Sequence, residues 1–477
     1  DATRAPGGDI YFAGGTEIYK RTPESAGGSG SWSVFSTDPA ITNAKSLCYD
    51  DFPDAILIPD TTTVHKISDM SGTPTFEADK YGELLDLEAT GGAATYTLTT
   101  GVNEGATHQF EYVPTIEPLI RVKLYVVAKG TGDWTLTMHD GSNAVLGTVT
   151  VPNASLTNGA LNSFVFSSQI RTVVKPRGGI YHFHVHSTVA DGTVQTTTAS
   201  DFSDADYEIY ADRLVEDVDY HPIIEFKWFY IIGNDNNLTT FEPLEEDPTK
   251  SSWKPNRLVF PYNYEINGLA LYDEFLVVSA FAKKSSDYGD ETFGEDATTG
   301  VLFFWDGYST DYNFAVFIPE GAPESMFSYK NVVYYIANGA QYAWAGGQPV
   351  LIRTMPGVDN FSSTEGHDAD VYLQAGYNNL EVSDGLLLAG FPYKTVNENI
   401  KHGIYSWGAG DKNYADSFGY DDVPSHGRTE TVFADSGTPP APISGITMVR
   451  SFGANTFLAW RDSADSGSNT THGVDII

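Results

Sequence analysis

The run His182-Phe183-His184-Val185-His186 carries the densest chemistry in the chain. On a β-strand side chains alternate, so the three imidazoles share one face while Tyr181, Phe183 and Val185 fill the core on the other. Imidazoles two residues apart on a strand stand roughly 6.5 to 7 Å from each other, near enough for neighbours to share a metal ion. The row by itself lacks a further ligand and the shaped pocket of a catalytic centre. Its other readings are a ligand-contacting polar face, to which His139 and Tyr125 could add, and a plain solvated strand face.

Oxygen-rich loops come next. Gly233-Asn234-Asp235-Asn236-Asn237 and residues 462–469 could cage Ca2+, with Asp235, Asp462 and Asp465 as ligands, so Ca2+ is the one cofactor the sequence leaves open. Neither segment has the EF-hand spacing, and turn propensity alone accounts for their Asn, Asp, Ser and Gly. Residues 283–300 carry five acidic side chains and read as a solvated excursion. Enzyme signatures are missing: there is no nucleophile elbow, Walker loop or His-Glu-x-x-His. Ser29-Gly30-Ser31-Trp32 is the nearest approach to a sialidase-type box and lacks its Asp. The expectation is a protein that is not an enzyme, with no catalytic residue to name. A glycosidase needs only two well-placed carboxylates, which keeps a propeller glycoside hydrolase or lyase as an alternative.

The elements that position these residues are strands. No long stripe of apolar residues at helical spacing appears, whereas short apolar runs broken by Gly, Asn or Asp recur. Seven two-strand units begin near residues 9, 54, 228, 275, 332, 386 and 456. Outside one long interval their spacing is about 45 to 70 residues, the period of propeller blades. Removing the excess from that interval leaves about 50 residues for each of about seven blades. The excess, residues 73–212, alternates cleanly between apolar and polar. Ile120, Val122, Leu124 and Val126 share one face, as do Trp134, Leu136 and Met138. Residues 129–133 read as a hairpin loop between these two strands, and Asp140-Gly141 opens the next turn. The fold class is therefore all-β: a β-propeller over residues 1–72 and 213–477, with an inserted jelly-roll-like sandwich over residues 73–212.

Charge narrows the partners. With 63 Asp and Glu against 27 Lys and Arg, the formal net charge is −36. Such a surface repels phosphate backbones and anionic headgroups, so neither nucleic acid nor membrane is an expected partner. Cys48 is the only cysteine, which rules out an intrachain disulfide and Cys-rich zinc sites. Sequons occur at Asn153, Asn237, Asn360 and Asn469, but a large disulfide-free chain of this kind is more bacterial or viral than eukaryotic in style.

Two stretches resemble a known group. Asp133-Trp134-Thr135-Leu136-Thr137-Met138-His139-Asp140, with residues 149–159 and Tyr181-His182-Phe183-His184, is similar to the sandwich module inserted in certain tailed-bacteriophage structural proteins. Residues 300–307 and 331–344 resemble the propeller part of such minor tail or tail-tip proteins. The resemblance implies a virion location, in the tail or beside it, and other virion proteins as partners in multiple copies. It implies a propeller that docks and a sandwich that projects and can touch a cell-surface glycan during host attachment. It brings no catalytic motif. The alternative is a secreted bacterial carbohydrate-binding or adhesion protein, with Tyr125, His182, His184 and His186 on the binding face.

Overall fold

A computed structural model describes residues 1–22, 31–50, 54–100, 109–172, 179–199, 201–218, 220–241, 254–261, 263–282, 300–318, 321, 323–337, 340–354, 380–383, 386–391, 403–407, 430–434, 446–452, 455–461 and 472–476. The protein is all-β, with two short 3-10 turns as its only helical elements among the described residues.

Outside the insert the described strands form seven separate antiparallel sheets. The first holds Ala2–Arg4, Ile10–Ala13, Ile18–Thr22 and Ser31–Ser36 in chain order. The second holds Cys48–Asp50, Ala55–Pro59, Val64–Ser68 and Thr75–Tyr81. The third, Ile223–Phe226 to Lys254–Val259, resumes after the insert, and the fourth and fifth begin at Tyr264–Tyr272 and Pro323–Tyr329. The sixth has three described strands, starting at Leu380–Ser383. The seventh departs from chain order, because Glu430–Ala434 pairs with the last strand, His472–Ile476, at the edge away from Ile446–Phe452.

The apolar core of this part lies between sheets. Tyr11, Ile18, Ile56 and Ile67 fill the space between the first and second. Ile231, Leu238, Val278 and Phe303 do so between the third and fourth. Leu302, Phe304, Val333 and Tyr335 join the fourth to the fifth, and Ile336, Leu380 and Leu387 the fifth to the sixth. Thr456 donates to Ser383 at 2.6 Å between the seventh and the sixth. The seventh then packs on the first through Met448, Phe457, Ile10 and Phe12, so the series returns to its start. Strands buried from both sides read as near-continuous apolar runs. Gly300–Trp305, with all six residues buried, is such a strand.

The insert is two facing sheets. One has Leu119–Ala128 at its centre, with Ala160–Ile170 along one side. Tyr207–Ala211 and Thr193–Thr196 lie along its other side, backed by Leu84–Ala89 and Ala94–Thr97. The other sheet runs Gln109–Tyr112, Tyr181–Ser187, Trp134–His139, Val145–Val151. Both contribute to one core, where Phe110, Trp134, Phe164, Phe183 and Ile209 are fully buried. Ala160–Ile170 alternates in burial as its sequence does, whereas the start of Leu119–Ala128 does not. A bulge there buries Leu119 and leaves Ile120 only half-buried.

Three expectations change. Thr75–Tyr81 pairs with Val64–Ser68, so pairing passes to the insert after Tyr81 rather than at residue 73. Residues 129–133 are not a hairpin loop, because Leu119–Ala128 and Trp134–His139 belong to different sheets. A Gly-rich link between two alternating strands says nothing about whether they pair side by side or face each other. Asn153 fixes this link by donating its side-chain amide to the carbonyls of Lys129, Gly130 and Gly132 at 3.1–3.2 Å. The third change concerns the loop at 233–237, whose tight turn is only Asp235-Asn236, between Phe229–Asn234 and Asn237–Phe241.

Candidate functional site

The histidine row stands where its spacing puts it, on the outward face of Tyr181–Ser187. Register adds neighbours: His182 lies between Glu111 and His139, His184 between Gln109 and Thr137, and His186 beside Thr135. Thr148 and Thr150 extend the face outward, with Thr150 and Thr135 hydroxyls 2.9 Å apart. His139 thus joins the row, as the alternation of its own strand implied. The imidazoles of His139 and His184 meet edge to face at 4.6 Å. His139 Nδ1 bonds the Asn143 carbonyl at 3.1 Å, and Gln109 Nε2 lies 3.2 Å from His182 Nδ1.

Two parts of the expectation are corrected. The face is not a plain solvated one, since His184 and His139 are only 1% and 4% exposed. Desolvation also depresses the pKa of His186, favouring neutral imidazole. Among the described residues no three His, Cys, Asp or Glu side chains gather as a metal-holding group. Tyr125 is not on this face. It sits half-buried on the other sheet, with Leu161 opposite, and Arg121 and Lys123 of its own strand cluster with Glu208 and Tyr210 of the neighbouring Tyr207–Ala211. Strand alternation assigns a side of one sheet; it does not say which sheet of a sandwich a strand joins.

Asp235 is not a calcium ligand on a surface loop. It is 1% exposed, and its carboxylate accepts from Arg171 Nη2 of the insert at 2.7 Å. The same guanidinium lies 3.6 Å from Glu117, whose pKa burial raises despite that cation. Asp462 and Asp465 lie outside the described residues.

The turn at Asp235 belongs to a seam that fastens the insert to the second and third sheets. Asn234 Oδ1 accepts from Val215 N at 2.8 Å and Asn234 Nδ2 donates to the Arg213 carbonyl. Arg213 is buried, donates to Gly82 O at 2.9 Å, and is lowered to about 10 by desolvation. His221 lies between the carbonyls of Gly233 and Val215, with Nδ1 and Nε2 at 3.1 and 3.2 Å from them, and the neutral ring donates to one of the two. Leu57, Tyr81, Leu84, Leu214 and Ile232 pack beneath. Sequence reading missed this seam, for its residues come from four distant segments and no local pattern joins them.

A second feature was missed. Lys227-Trp228 is a two-residue turn between Ile223–Phe226 and Phe229–Asn234, with φ of 51° and 74°. Trp228 is 87% exposed, and Tyr308, in the turn after Gly300–Trp305, is 69% exposed. A two-residue gap filled by Lys and Trp between apolar runs was the signal available.

No protein-family model matches the chain, and no curated protein matches it. Solved structures do. The chain is similar to the WD40 β-propeller domain of Doa1 at 8% identity, over 98% of this chain and 88% of that one, with a TM-score of 0.36. It is similar to the computationally designed Ika8 protein at 9% identity, over 91% and 95%, TM-score 0.32. A Neurospora crassa Pan2 WD40 domain aligns at 8% identity, over 86% and 89%, TM-score 0.32. At these values the likeness carries no activity or partner over to this chain.

Proposed function

We propose that this chain is a seven-bladed β-propeller carrying a jelly-roll sandwich inserted between its second and third blades, and that it works without catalysis as a virion structural protein of a tailed phage, in the tail or beside it. Seven sheets that pack each on the next and return to the first support the propeller. With the collinear pairs of short strands counted as single strands, the insert has eight among the described residues. Its sheets then run first, eighth, third, sixth and second, seventh, fourth, fifth. That order gives two Greek keys, as in viral capsid and lectin domains.

The observation that carries the reading is the seam. An insert tied down by Arg171, Arg213, Asn234 and an apolar layer is held at a set position on its platform. That suits an arm that must present a surface to a neighbouring protein or a host glycan while the propeller docks on other virion proteins. Mass spectrometry of purified particles and of culture supernatant tests this. A fixed copy number in particles is expected. Recovery only as free secreted protein would overturn it and favour a secreted carbohydrate-binding or adhesion protein.

A further inference from the structure

We infer that the insert pairs edge to edge with the insert of a second copy of this chain, through Ala160–Ile170 and about a two-fold axis at Ser163. The inference goes beyond the proposal above and holds whether the chain is found on particles or free. Ala160–Ile170 pairs on one side with Leu119–Ala128, and Val145–Val151 pairs on one side with Trp134–His139. Among the described residues no strand pairs with the other side of either. The two open edges lie together, for a Cβ on Gly147 would meet the side chains of Phe166 and Ile170. One flank of the sandwich thus offers two strand edges to which a further strand can add.

Open edges are usually blunted by short strands, charges or Pro. The opposite flank follows that rule. Its edge strands Leu84–Ala89, Ala94–Thr97 and Gln109–Tyr112 have four to six residues each and carry Asp86, Glu88 and Glu111. The flank at Ala160–Ile170 does not. That strand has eleven residues, the most of any described strand. Neither it nor Val145–Val151 contains Asp, Glu, Lys, Arg or Pro, although 19% of the chain is charged. Exposed side chains here are apolar instead: Val145 is 60% exposed, Val165 50%, and Leu146 and Leu161 39% each.

Symmetry and charge choose the occupant. An antiparallel pair of these identical strands centred on Ser163 sets Leu161 of each copy opposite Val165 of the other, and Ser163 opposite itself. Each exposed apolar side chain of the strand then meets an apolar partner, and two small hydroxyl residues meet on the axis. The strand is regular over this stretch, since its shift of register lies beyond Val165. A contact related by a two-fold axis closes on itself, so assembly stops at two copies. At a net charge of −36, two copies repel over most of their surface, and a contact between them needs a patch free of carboxylates. The Ala160–Ile170 flank is such a patch, and it gives a charged partner nothing to pair with.

Light scattering and sedimentation of the full-length chain at micromolar concentration test this. A dimer is expected. Val165→Glu should weaken it about tenfold or more, because a carboxylate then faces Leu161 of the other copy at two symmetric places. In the separate chain the same change is mild, since Val165 is half-exposed and stands opposite Arg121 on the neighbouring strand, so the circular dichroism should match the parent's. Leu85→Glu, on the opposite flank, should leave the dimer intact. Ser163→Cys should join two chains through a short thiol cross-linker, whereas the parent, with Cys48 alone, should not. A chain that stays monomeric, or one that aggregates without limit, overturns the inference. So does a dimer that Val165→Glu leaves intact, that Leu85→Glu breaks as readily, or that Ser163→Cys fails to join.

Discussion

The sandwich and the series of sheets bury their apolar residues in different ways. In the sandwich, two sheets share one core, and each strand shows it one face: Ala160–Ile170 alternates, with Phe164 and Phe166 inside and Leu161 and Val165 out. In the series, every sheet packs on two neighbours, so the core is divided into thin layers between sheets. One region has a single cooperative interior. The other has many small interiors, each depending on the next.

The largest expected effect tests that contrast. Phe183 is fully buried and stacks on Phe110 at 4.9 Å, so Phe183→Ala should cost about 3–5 kcal/mol. Scanning calorimetry of this variant should show a sandwich transition moved well below that of the sheets. A single transition lowered as a whole would mean that the two regions melt as one, and the contrast would fail. Next comes the seam. Arg171→Ala leaves the buried Asp235 carboxylate without its cation. Since Arg171 is partly exposed, the cost should be about 2–3 kcal/mol, below that of a fully buried pair. Hydrogen exchange at residues 213–218 and 229–237 should speed up. Unchanged exchange there would show that Arg213 and Asn234 hold the insert unaided.

These contrasts also explain what could be read from sequence. Period-2 alternation at residues 134–139 and 181–187 located sandwich strands, because a strand with one wet face must show two kinds of residue. Gly300–Trp305 and Phe275–Ala282 stood out as apolar runs instead, as strands covered on both sides should. What failed was any property that depends on which strands meet. Tyr125 and His184 alternate equally well, yet lie on different sheets. Asp235 has the composition of a surface turn and the burial of a core residue, because Arg171 reaches it from a segment 64 positions away. The third two-strand unit was started at Trp228, because an apolar residue beside an apolar run reads as strand, whereas the preceding run at 223–226 and the Lys227-Trp228 gap marked a turn there.

The smallest effect sharpens the comparison at the place where the two regions join. Asp212 is buried at the end of the insert, with Gln169 Nε2 donating to its carboxylate at 2.7 Å. Desolvation is the main cause that raises its pKa from 3.8 to about 6; Glu83 and Glu216 add to it, and Gln169 and Arg121 oppose it. Between these two values the folded state holds the proton more tightly than the unfolded chain. The contribution is therefore fully present below about pH 4 and is lost as pH rises through about 6. Its full amplitude is about 3 kcal/mol, of which about 2 kcal/mol falls above pH 4. His221, buried in the same seam, acts in the opposite sense. Burial lowers its pKa below 6.5, so its contribution is present above 6.5 and is lost as pH falls through the lowered value. The many other acids of the chain cancel in a difference curve between Asp212→Asn and the parent. Urea unfolding from pH 4 to pH 8 should show the variant gaining about 2 kcal/mol over the parent as pH rises through 6. A flat difference curve would mean that Asp212 meets water in solution, and that the seam is looser than the two cores on either side of it.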